Sequence, residues 1–167
     1  MKTKRLIGLL AAIASVPSLA ADNATPASAP VQPAYSYATN GVLDNIERDG
    51  GSKWKLLLDE SNVGGKELQA AELLLPAGTE SPGHTHKSVE FLYVLSGTYE
   101  HEVNGRRYRL TPGMVGIVRP GDRVRHLVPK DSDVKLLVLW APAGDNTALR
   151  LREAKGTAPP PVPEVNK

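Results

Sequence analysis

Between Gly41 and Ala143 the apolar residues come in short runs, and turn residues close most of them. "WKLLLD" (54–59), "LQAAELLLP" (68–76), "VEFLYVLSG" (89–97) and "TYEHEV" (98–103) follow one another, then "RRYRL", "MVGIVRPG", "VRHLVP" and "VKLLVLWAP". Short strands at close spacing with Gly and Pro turns read as an all-β sandwich or barrel. Asn104-Gly105, between "TYEHEV" and "RRYRL", is a type I′ hairpin signal, because both central residues of that turn need positive φ. Val89, Phe91 and Tyr93 are apolar, and so are Leu92 and Val94, as in a strand covered on both faces. One helical stretch stands apart: Asn146 to Lys155 places Leu149, Leu151 and Ala154 on one side.

The two ends read differently from this middle. Lys2, Lys4 and Arg5 precede an apolar run from Leu6 to Val16 and then Ser18-Leu19-Ala20, the layout of a secretory signal cut after Ala20. The run is too short to span a membrane. Residues 21–40 are rich in Ala, Pro, Ser and Thr and read as a flexible leader. Residues 41–143 make the folded part, and 144–167, ending in "KGTAPPPVPEVNK", a mostly disordered extension. The expected destination is the periplasm or the medium, with no membrane span after cleavage. The chain holds 20 Lys+Arg and 18 Asp+Glu. Without the three bases of the signal the balance is 17 to 18, so the basic character belongs to the leader and no nucleic-acid partner follows. Cysteine is absent, so an exported fold must rest on its core or on a metal.

Polar residues at the mouth of an apolar strand call for a reason, since imidazole and carboxylate are costly to bury alone. In "GHTHKSVEFLYVLSG" (83–97) His84, His86 and Glu90 share parity with Leu92 and Val94. If the stretch is extended, two imidazoles and a carboxylate meet on one face. The two histidines would then stand about 6.5–7 Å apart along the chain, close enough to grip one ion. A divalent metal is the natural occupant of such a set.

The spacing Gly78, five residues, His84-x-His86, three residues, Glu90, six residues, Gly97 resembles the first motif of the cupin superfamily at every spaced position. "GMVGIVRPGDRVRHLVP" is similar to the second, through Gly113, Pro120, Gly121 and His126. Here four residues separate Gly121 from His126 and the family's asparagine after the histidine is missing. The resemblance covers about residues 50 to 142. It implies a small jelly-roll β-barrel in which His84, His86, Glu90 and His126 ligate one divalent ion, be it Fe, Mn, Ni, Cu, Co or Zn. It also implies a homodimer formed by pairing sheets, and a small-molecule ligand. The reactions of the family include dioxygenation, isomerisation and elimination. We rank an oxygenase first, ahead of isomerase or lyase chemistry, with Glu90 as base. The alternatives are a non-catalytic module that binds or senses a ligand or metal, and an envelope protein with a vestigial site.

The neighbours of the four ligands have roles to assign. In "TYEHEV" Tyr99, His101 and Val103 share one face, and Glu100 and Glu102 take the other. The acids should face water, so His101 should point inward, as a catalytic or substrate contact or as a core histidine bonded to backbone. Tyr99 follows it at the same face. Arg119 and Arg125 flank the third histidine and could grip an anionic substrate; otherwise they belong to a solvated surface with Arg106, Arg107 and Arg109. Trp54 and Trp140 read as packing, as does Tyr93. No nucleophile motif, phosphate-binding loop or dinucleotide fingerprint stands out.

Overall fold

In the computed structural model, which describes residues 39–144, 151 and 153–163, the short runs become strands. They are β1 (Leu43–Glu47), β2 (Lys53–Leu58), β3 (Gln69–Leu75), β4 (His84–Thr85), β5 (Val89–Ser96), β6 (Tyr99–Val103), β7 (Arg106–Leu110), β8 (Val115–Val118), β9 (Arg123–Leu127) and β10 (Val134–Ala141). A single turn of helix, α1 (Glu60–Val63), sits between β2 and β3. Asp59 caps it: its Oδ1 accepts from Ser61 N at 2.8 Å, while Asn62 Oδ1 accepts from Asp59 N at 3.0 Å.

Every pair within the two sheets is antiparallel. The larger sheet runs β1-β2-β3-β10-β5-β8, the smaller β4-β9-β6-β7. That is a jelly roll, two sheets facing each other with an apolar filling. The alternation of β10 shows why. Val134, Leu136, Val138 and Trp140 point inward and are fully buried, and Lys135, Leu137 and Leu139 lie outside. Leu92, Val94, Tyr99, Val118 and Val124 complete the same core.

The turns are built as their residues require. Asn104 and Gly105 have φ of 52° and 77°, and β6 pairs with β7 from Val103↔Arg106 to Tyr99↔Leu110. This is the anticipated hairpin.

Three features depart from the sequence reading. Strands β1 and β4 and helix α1 went unforeseen. Residues 84–96 are not one extended segment: β4 belongs to the smaller sheet and β5 to the larger. Strand β5 is also covered on one side only within this chain, since Val89 and Leu95 on its outer face are each 40% exposed. The helix expected over 146–155 falls mostly outside the described residues. Of that extension, Leu151 is buried in the core and Thr157 exchanges backbone hydrogen bonds with Asp44 at 2.9 Å both ways.

Candidate metal centre

Three of the expected ligands come together, and each arrives from a different place. His84 stands on β4, His86 on the link from β4 to β5, and His126 on β9. Antiparallel pairing sets His84 opposite Val124, two residues before His126 on the same face. Gly121 N donates to the carbonyl of His86 at 3.0 Å, which ties that link to the Pro120-Gly121 turn. One ring nitrogen from each imidazole lies within 4.8 Å of the other two. The rings of His84 and His86 meet edge to face with centroids 4.8 Å apart, and His84 and His126 at 5.0 Å.

The tautomers suit an ion. His84 Nδ1 donates to the carbonyl of Pro82 at 3.0 Å, so its Nε2 keeps a lone pair. That Nε2 faces Nε2 of His126 at 3.3 Å. Two lone pairs at that distance repel unless a proton or a cation lies between them. Burial, and then His84, His101 and His86, hold the His126 imidazole well below its usual range, which disfavours the proton. Tyr99 Oη is the hydrogen-bond partner of His126 Nδ1. With Nδ1–H donating to that hydroxyl, Nε2 is directed at the cluster. Burial, and next the charge of Glu90, raise the Tyr99 hydroxyl well above its ordinary value, so it stays protonated. The donor set therefore fits a divalent metal held by His84, His86 and His126.

Glu90 is placed differently. Its Oε1 accepts the indole N–H of Trp140 at 2.9 Å, and its Oε2 lies 3.4 Å from His86 Nε2. It stands beside the imidazole trio and is not one of the three residues whose donor atoms converge. Trp140, read from sequence as packing, stacks on Trp54 with centroids 6.3 Å apart and also holds this carboxylate. The sequence signal was available in its parity, which it shares with Val134, Leu136 and Val138; its register opposite Glu90 was not.

His101 points inward and is 2% exposed. Its ring stacks beside that of His126, 5.9 Å away and 8° from parallel, and the Tyr99 ring lies 5.5 Å off. Burial pushes its imidazole down to about 4. Arg125 is occupied, 3.4 Å from Glu80 and 3.8 Å from Glu102. Arg119 is not among the converging donors and lines a cavity with His101.

Residues 71–141 match the Cupin domain family, and the fold is cupin-like. Solved structures of similar fold include an RmlC-like cupin from Shewanella frigidimarina, 24% identical with TM-score 0.54, covering 67% of this chain and 93% of that one. A predicted oxalate decarboxylase from Thermotoga maritima is 21% identical with TM-score 0.53 over 60% of this chain and 92% of its own. The polyketide cyclase RemF from Streptomyces resistomycificus is 20% identical with TM-score 0.53 over 60% and 73%. At these identities the likeness is one of fold. Endoribonuclease YbeY of Myxococcus xanthus is 32% identical over 79 residues, 47% of this chain, and the match spans 27% of that protein's length.

Proposed function

We propose that this chain is an exported, metal-dependent cupin enzyme acting on a small oxygen-rich or carboxylate-bearing organic molecule. The observation that carries the reading is the three imidazoles whose ring nitrogens lie within 4.8 Å of one another. Three histidines leave coordination positions open for a substrate, and the metal, whether Fe, Mn, Ni, Cu, Co or Zn, supplies Lewis acidity when bound. The residues around it have separate tasks. Tyr99 orients His126, Pro82 orients His84, and Trp140 holds Glu90 within reach of His86. Oxygenation ranks above isomerisation or elimination as the reaction class.

The test is to load the purified protein with each metal and follow oxygen uptake, ultraviolet absorbance and NMR spectra with enediol, phenolic and carboxylate compounds. Turnover is expected from the wild type and not from His86→Ala. No change with any compound in any loaded form contradicts catalysis.

A second reading is a non-catalytic binding or sensing module. It is favoured by Glu90, whose carboxylate is engaged by Trp140 and stands against His86 rather than facing an open space as a base. Such a module loses ligand affinity with His86→Ala and forms no product when intact.

The export signal and the pairing of two copies belong to the same proposal. The mature chain begins at Ala21, which the mass of periplasmic protein tests. The apolar outer face of the larger sheet supports a homodimer.

A further inference from the structure

Strand β7 is one edge of the smaller sheet and β8 one edge of the larger, and a cavity of about 620 Å³ is lined by residues of both. That volume is typical of a small-molecule site. Val115, Ile117 and Tyr108 give it an apolar wall, and Arg106 and Arg119 line it with positive charge. Neither arginine enters a salt bridge among the described residues, whereas Arg107 is paired with Glu100 and Glu102. The acid in the lining, Asp122, is already engaged. Its Oδ1 accepts from Asn104 Nδ2 at 2.7 Å and its Oδ2 from Arg119 N at 2.9 Å. Two guanidiniums against one carboxylate leave a surplus of one positive charge in the cavity.

His101 lines the same space. Its buried Nε2 has no hydrogen-bond partner among the described residues. A Cβ on Gly116 would come within 2.6 Å of its Nδ1, so the glycine on β8 makes room for this imidazole. A hydroxyl suits either tautomer of the ring, because it donates and accepts.

We propose that this seam binds a small monocarboxylate with an apolar, ring-like body and a hydroxyl at its far end. The carboxylate lies on Arg106 and Arg119, the body on Val115 and Ile117, and the hydroxyl meets His101, beside the ring of His126. The inference rests on the reading of the barrel as a small-molecule site and names its substrate class; the arginines and His101 bind it without the metal.

The experiment titrates 4-hydroxybenzoate, benzoate and 4-hydroxybenzamide calorimetrically into metal-free mature protein. The wild type is expected to bind 4-hydroxybenzoate tightest, with loss of the charge or of the hydroxyl each weakening it. The Arg106→Ala/Arg119→Ala variant should weaken 4-hydroxybenzoate by about ten-fold or more while Arg107→Ala leaves it unchanged. His101→Leu should erase the preference over benzoate; if that variant fails to fold, the wild-type comparison of the two compounds decides. No binding of any of the three, equal binding of acid and amide, equal binding of 4-hydroxybenzoate and benzoate, or an unchanged double variant overturns the proposal. Metal analysis of the same preparation separates the two readings. Binding by protein that takes up no metal keeps the seam site and fells the metal centre. Metal-loaded protein that binds none of the compounds does the reverse.

Discussion

Tyr99 touches His126 through one hydroxyl, and much of the site's order depends on such single contacts. Outer partners of metal-binding histidines commonly account for about 10–100-fold in affinity. Tyr99→Phe keeps the ring in the core and removes only the contact to Nδ1, so metal affinity should fall within that range, as measured by competition with a coloured chelator. An unchanged affinity would remove Tyr99 from the site. His101 offers a second test, in metal-free protein. Its imidazole sits at about 4 when folded against 6.5 when free, lowered by burial. Below 6.5 the unfolded chain takes up a proton that the folded chain refuses. Stability should therefore be level above about pH 7 and fall as pH drops towards 4, by about 1.4 kcal/mol per pH unit for each such histidine. His126 adds to the fall, since it too is depressed. The rings packed against His101 are those of Tyr99 and His126. Urea midpoints at pH 7, 6 and 5 check this, and equal midpoints contradict it.

The strands and their turns position these residues, and here the sequence was most legible. Alternation and turn chemistry marked β2, β3 and β5 to β10, because those runs are apolar and their turns carry Gly, Pro or Asn-Gly. Strand β4 could not be seen. It has two residues, and its partner β9 lies some forty residues on, a pairing that local pattern does not encode. For the same reason His84, His86 and His126 were legible as candidate ligands only through the motif resemblance, and Glu90 could not be separated from them. Its placement follows from β10 lying beside β5 with Trp140 opposite Glu90. The β5–β6 turn gives an element-scale prediction. Gly97 has φ of 80°, and a Cβ there would overlap the carbonyl oxygen of Asp133 at the entry to β10. Gly97→Ala combines left-handed strain with that clash and should cost at least about 2 kcal/mol in a urea titration. A cost near zero would mean the turn rearranges freely.

At the scale of the whole molecule the two faces of the larger sheet differ in what they leave exposed. Inside, the core is closed. Outside, Phe91 sits in register with Leu139 and Tyr93 with Leu137, flanked by the exposed Val89 and Leu95. Contiguous apolar surface of this kind commonly marks an interface. A second copy paired on this face, as proposed, would account for the apolar runs at both parities that the sequence displays. Light scattering of the wild type should give the mass of a dimer, and Phe91→Glu the mass of a folded monomer. A monomeric wild type at micromolar concentration contradicts the pairing.

The central claim is that His84, His86 and His126 hold one metal ion inside the barrel. Elemental analysis of protein purified without chelator and dialysed against a mixture of divalent metals tests it most directly. The account predicts about one equivalent of metal per chain in the wild type, lost in His84→Ala and in His126→Ala while both variants keep the circular dichroism of the β fold. A wild type that retains no metal, or histidine variants that retain as much as the wild type, would contradict it.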